Sequence, residues 1–120
     1  MHEVGLCEGV VDAVRRRAGG RPVAAVRVQV GVLHRVDDES FRQAFSMVAA
    51  GTEAAGAEVD VVSVPVRARC GACGAALESG DPLVLCPTCD SADLDVSSGY
   101  ELVLESLTYR AAPTGAADGA

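Results

Sequence analysis

Cys70-Gly71-Ala72-Cys73, then twelve residues, then Cys86-Pro87-Thr88-Cys89: these two knuckles decide how residues 67–98 fold. A Cys-x-x-Cys segment turns tightly enough for both of its sulfurs to reach one ion. Two such segments supply a tetrahedral set of four thiolates, the usual closed zinc site, with Zn–S near ~2.3 Å. Gly71 and Gly74 free the backbone around the first knuckle, and Gly80-Asp81-Pro82 suits the chain reversal between the knuckles. The stretch has few large apolar side chains, so it cannot build a core of its own and needs a metal to hold it. The expected zinc ligands are Cys70, Cys73, Cys86 and Cys89. Four protein ligands leave no open coordination position, so this zinc is expected to be structural. A thiol–disulfide enzyme would place a single Cys-x-x-Cys at a helix start after a strand, with a depressed thiol pKa. A rubredoxin-like iron site would pack aromatic rings around the sulfurs, and residues 67–98 contain none.

The flanking sequence reads as ordinary secondary structure. Cys7, Val10, Val11, Val14 and Ala18 follow helical spacing and predict a helix near 4–18, with Arg15, Arg16 and Arg17 in its last turn and Gly19-Gly20 ending it. Val26, Val28 and Val30 alternate with Arg27 and Gln29, as in a strand with one buried face. Asp37, Asp38, Glu39 and Ser40 open a second helix, whose buried stripe is Phe41, Ala44, Phe45 and Val48 and which Gly51 stops. A second strand is expected near 57–64, limited by Pro65. From Tyr100 to Tyr109 the pattern is strand-like again, with Leu102 and Leu104 on one face and Val103, Glu105 and Leu107 on the other. This last strand is expected to return to the first sheet, which makes the cysteine stretch an insertion. The expectation is therefore an α/β (α+β) fold, a small β-sheet with two helices plus an inserted zinc-ribbon-like module. Its parts are 1–66 with 99–110, then 67–98, then a disordered tail over 111–120.

Composition limits the partners. The 120 residues carry a formal charge of -7, and all ten cations are Arg. Four thiolates on zinc would make the chain more acidic still. Such a chain is poorly matched to nucleic acid, which rewards clustered cations, and to an anionic membrane. No apolar run approaches the roughly 20 residues of a membrane span, and Met1-His2-Glu3 does not begin a signal peptide. Cysteines without a secretory signal are expected to stay reduced, in keeping with a cytoplasmic location. With two His and no Ser/His/Asp set or phosphate-binding Gly loop, the sequence is not that of an enzyme.

The N-terminus carries a second metal-binding signal. His2 is too large for Met removal, so the chain is expected to begin Met1-His2-Glu3 with a free α-amine. The amine, backbone amide nitrogens and the His2 imidazole lie within a few bonds of one another. Nitrogens so arranged suit square-planar Ni(II), and the Glu3 carboxylate could add an oxygen in a six-coordinate form. Protons compete for these nitrogens, so binding should weaken as pH falls.

Met1-His2-Glu3, Leu6-Cys7, Gly31 and Val36, Phe41 through Gly51-Thr52, the two knuckles and the segment Gly99 to Ser106 follow one another in the order seen in a known family. The chain resembles the HypA/HybF family of hydrogenase nickel-incorporation proteins over about residues 1–109. The resemblance implies a metallochaperone that delivers nickel to the [NiFe]-hydrogenase large-subunit precursor with a HypB-type GTPase. In some members it also implies a role with urease maturation factors, and a weak homodimer is compatible with it. It implies nickel ligation by Met1, His2 and Glu3, with His2 indispensable, and zinc ligation by the four knuckle cysteines.

The chain departs from the pattern in two ways, beside the knuckles and at His34. Some members carry a His beside the knuckles, where this chain has Gly74 and Asp90, so an exchange of Cys for His ligands is not expected. His34, the only other His, reads as a surface loop residue rather than a nickel ligand. Cys7, on the apolar stripe of the first helix, reads as a packing residue. The rival functions are a zinc-ribbon adaptor that binds protein partners without nickel transfer, and a thiol redox enzyme.

Overall fold

The computed structural model describes residues 2–111. Met1 lies outside the described residues, and so does the expected tail from residue 112 onward. The elements are α1 (His2–Ala18), β1 (Val23–Gly31), a 3-10 turn (Val32–His34), α2 (Asp38–Ala49), β2 (Glu58–Val64), β3 (Val66–Cys70), β4 (Ala76–Ser79), β5 (Leu94–Ser98) and β6 (Leu102–Tyr109).

Two three-stranded sheets result. In the first, β1 is central, parallel to β2 and antiparallel to β6. Helices α1 and α2 pack on one face of it. Cys7, Val10, Val11, Val14 and Ala18 from α1 and Phe41, Ala44, Phe45 and Ala49 from α2 close over Val23, Val26, Val28, Val30 and Leu104. Asp37 caps α2, its carboxylate accepting from the Ser40 amide at 3.0 Å. The other face of the sheet mixes charged side chains with the valines Val62 and Val103, which flank Gln29. Arg27 crosses it to reach Asp60 on β2 at 3.2 Å and Glu105 on β6 at 3.0 Å.

The return of the last strand to β1 follows the sequence reading, but its facing does not. Simple alternation puts Leu107 opposite in face to Leu104. The register instead jumps from Arg27↔Ser106 to Val28↔Leu104, leaving Glu105 as an extra residue. A bulge reverses the parity of everything beyond it. Leu107 and Tyr109 therefore join Leu102 and Leu104 against the core, while Glu105 points outward to Arg27 and to the Gln29 amide.

The second sheet has β3 at its centre, antiparallel to β4 and β5. It begins at Val66, one residue before the composition changes at Arg67, directly after Pro65 interrupts the run from β2. Val66, Ala68 and Cys70 are buried on β3, yet β4 and β5 contribute no fully buried side chain. A buried Val contributes about 1.5–3 kcal/mol. Ordering the backbone costs roughly 1–2 kcal/mol per residue. Apolar burial alone cannot hold this sheet.

The two sheets are joined through a tight crossing. Gly31 lies against Gly99 so closely that a methyl group on Gly31 would overlap the Gly99 carbonyl. Gly99 itself has φ +125°. The Gly31 amide donates to Glu101 at 2.8 Å and the Leu33 amide to Gly99 at 2.9 Å, stitching the end of β1 to the chain that leaves the cysteine module.

Not every glycine is required. Gly9 is exposed in the middle of α1, and a Cβ there meets nothing within 4 Å. Gly9→Ala should stabilise the protein by about 0.5–1 kcal/mol through reduced backbone entropy in the unfolded chain. A raised urea midpoint at unchanged slope would show it.

Two candidate metal centres

The two knuckles are built alike. In the first, the Cys70 amide donates to Ala75 and the Gly74 amide to the Cys70 carbonyl, both at 2.8 Å. In the second, the Cys86 amide donates to Ser91 at 2.9 Å and the Asp90 amide to the Cys86 carbonyl at 2.8 Å. The residue after each second cysteine is left-handed, Gly74 at φ +78° and Asp90 at φ 62°. Asp tolerates this conformation better than most residues. β3 delivers Cys70, the end of a strand, while the second knuckle is anchored by its own turn.

This symmetry brings the four sulfurs together. All lie within 4.8 Å of one another, with Cys70 Sγ and Cys89 Sγ 3.6 Å apart and Cys73 Sγ and Cys86 Sγ also 3.6 Å apart. A tetrahedron with Zn–S of ~2.3 Å has edges of about 3.8 Å. The sulfurs are too far apart for disulfides, and all five cysteines are free. The donor set and its spacing fit one zinc ion.

Backbone amides prepare the sulfurs as thiolates. The Cys73 amide, helped by that of Ala72 at 3.4 Å, pulls the Cys70 thiol down to about 6. The amides of Cys89 and Thr88 lower Cys86 in the same way. The Ala75 amide pulls on Cys73, but the neighbouring Cys86 sulfur and burial leave it raised. The Ser91 amide likewise pulls on Cys89, but the sulfur of Cys70, burial and the other thiols push it up to about 12. In each knuckle, then, backbone amides lower one thiol, Cys70 or Cys86, while its partner, Cys73 or Cys89, is raised by the neighbouring sulfurs and burial.

Cys7 is a different kind of thiol. It is fully buried, its Sγ donates to the Phe41 carbonyl at 3.4 Å, and burial pushes it up to about 11. It packs the helix interface, as the helical stripe suggested.

At the other end, α1 starts at His2. Its side chain is 55% exposed, and Nδ1 lies 3.7 Å from Glu3 Oε1. Glu3's own backbone amide holds its carboxyl below the usual carboxylate range. Met1, the third expected nickel ligand, lies outside the described residues. His34 is not the plain surface residue the sequence suggested. It is half-buried, its ring packs edge-on to Tyr100, and its carbonyl accepts a hydrogen bond from His2. No local pattern could have revealed this, because His2 and Tyr100 are 32 and 66 residues away.

A family model described as "Hydrogenase/urease nickel incorporation, metallochaperone, hypA" matches residues 1–109. The chain belongs to the HypA family. The "Hydrogenase maturation factor HypA" of Chlorobium limicola is 38% identical over 111 residues, covering 90% of this chain and 96% of that protein. A protein of the same name from Rhodopseudomonas palustris (strain BisA53) is 38% identical over 110 residues, covering 89% and 97%. Among solved structures, the Ni metallochaperone HypA from Helicobacter pylori superposes with a TM-score of 0.57 at 21% identity, covering 91% of this chain and 95% of that one. The α+β fold expected from the sequence is thus that of HypA structures, and the four-cysteine cluster fits the zinc-ribbon-like module. The family is one of nickel metallochaperones in hydrogenase maturation. Among the described residues no helix is long and apolar enough to cross a membrane.

Proposed function

We propose that this protein binds Ni(II) through Met1, His2 and Glu3 and delivers it to the [NiFe]-hydrogenase large-subunit precursor, with a HypB-type GTPase as partner, in the cytoplasm and without catalysing a reaction of its own. Urease maturation factors are further candidate recipients. Residues 1–66 with 99–110 form the nickel-binding part, and 67–98 form the zinc module, held by Cys70, Cys73, Cys86 and Cys89.

The observation that carries the nickel site is the start of α1 at His2. The first amides of a helix have no intrahelical acceptor. The nitrogens of His2 and Glu3 can therefore lose a proton and bind a cation without breaking the helix. The His2 imidazole stands exposed beside them, and the α-amine of a chain beginning at Met1 completes a nitrogen set suited to nickel. Such a site is reachable from outside, so a partner's ligands can enter as this chain's nitrogens take their protons back. When bound, zinc closes the four-sulfur site and fixes the knuckles. The chain's own amides stabilise the thiolates and hold the module in one shape.

Nickel titration by calorimetry of the zinc-loaded protein tests this. The native N-terminus should take one nickel. A version with Gly-Ser before Met1, and His2→Ala, should each lose about 3 kcal/mol or more, on the order of a hundredfold. Equal binding by all three moves the site away from the terminus. No binding by the native protein favours the adaptor function instead.

A further inference from the structure

His2 Nε2 lies 2.8 Å from the carbonyl oxygen of His34. A carbonyl only accepts, so Nε2 carries the proton, and in a neutral ring Nδ1 is left with the bare lone pair. This matters for a chelate made with the residue's own backbone. Nδ1 and the His2 amide nitrogen close a six-membered ring on a metal, whereas Nε2 points away from it. Nδ1 has no hydrogen-bond partner among the described residues, since Glu3 Oε1 is 3.7 Å away.

The His34 carbonyl is itself held in place. His34 ends the 3-10 turn, which Arg35 closes in the left-handed conformation (φ 56°, ψ 45°) with its amide on the Val32 carbonyl at 3.0 Å. The His34 ring donates through Nε2 to the Tyr100 carbonyl at 2.8 Å. Together with the Leu33 amide on Gly99 and the Gly31 amide on Glu101, this bond makes three successive carbonyls accept from segment 31–34. Those carbonyls belong to the chain that leaves the cysteine module immediately after β5.

We propose that His34 is a positioning residue for nickel capture: its carbonyl holds His2 in the Nε2–H form, leaving Nδ1 unprotonated, and its ring anchors that carbonyl to Tyr100 at the exit of the zinc module. The inference rests on the nickel reading of His2 and adds a residue that acts only through it. Backbone partners of this kind orient metal-ligating imidazoles and set their tautomer. The two ends of the molecule thereby share one short hydrogen-bonded path, from the exit of β5 through Tyr100 and His34 to His2.

Long-range proton–nitrogen NMR of the zinc-loaded, nickel-free full chain at about pH 8 reads which His2 nitrogen bears the proton. The native protein should show the Nε2–H form. His34→Phe keeps a ring beside Tyr100 but has no N–H. It should give mixed His2 tautomers and weaken nickel binding by on the order of tenfold. His34→Gln, whose amide reaches about as far as Nε2, should restore both. An Nδ1–H form in the native protein overturns the proposal without any variant. So does a folded His34→Phe variant with native tautomer and native nickel affinity. A native protein that shows the Nε2–H form but takes no nickel overturns the nickel reading itself, and the role of His34 falls with it.

Discussion

Cys86→Ser is expected to strip the zinc and melt the β3–β4–β5 sheet, while α1, α2 and the β2–β1–β6 sheet stay folded. Cys86 is fully buried, and its sulfur stands 3.6 Å from that of Cys73. Serine offers no soft thiolate and leaves a three-sulfur remnant with an open position. The second sheet has little else to hold it. Val66, Ala68 and Cys70 are its buried strand residues, and Leu83 and Leu85 in the loop before the second knuckle stay exposed. Structural zinc contributes about 10–16 kcal/mol in small metal-held folds. Loss of a ligand therefore outweighs everything else the module can supply. The first sheet has its own core of two phenylalanines and a row of valines and does not depend on the metal. Zinc content and backbone amide exchange would check this. Zinc should fall from one per chain to nearly none, with protection lost over 66–98 and kept in β1. Cys7→Ala is the control, because Cys7 packs under α2 and should leave the zinc content at one. Retained zinc in Cys86→Ser, or collapse of both sheets together, would refute the account.

Gly31→Ala should have the largest effect of any single added methyl group. The new Cβ would overlap the Gly99 carbonyl and come within 2.6 Å of the Tyr100 nitrogen. These are backbone atoms and cannot rotate away as a side-chain end would. Relief requires the two chains to part, which breaks the Gly31–Glu101 and Leu33–Gly99 hydrogen bonds together. Overpacking of this kind costs about 1–3 kcal/mol, and each bond lost adds about 1 kcal/mol. A loss of about 3–4 kcal/mol is a large part of the stability of a small domain. The same substitution at Gly9 should have the opposite sign, so the pair separates a backbone clash from a general intolerance of alanine. Urea unfolding of both variants decides it, and a Gly31→Ala midpoint equal to the native one would sink the argument.

What could be read from the sequence lay within single elements. Valines and phenylalanines at helical or alternating spacing marked α1, β1 and α2, because a periodic apolar stripe is visible in a short window. Two knuckles twelve residues apart identified the four-sulfur cluster, because ligand spacing is a local property. Met1-His2-Glu3 suggested a nitrogen-rich metal site, because its donors are separated only by covalent bonds.

The tertiary structure decided what depends on meeting across the chain. Leu107 turned inward because the register of β6 on β1 slips by one residue at Glu105, and parity follows from pairing rather than from alternation. Val66 joined the second sheet because Pro65 releases the chain from β2 at that point. Gly31 is indispensable because Gly99 crosses it 68 residues later, and nothing near Gly31 in the chain distinguishes it from Gly9. His34 found its place between His2 and Tyr100 through hydrogen bonds that span 32 and 66 residues. Local periodicity and covalent spacing specify elements and ligand sets. Register and backbone crossings arise only when the elements pack, and these join the start of α1 to the exit of the four-cysteine module through His34 and Tyr100.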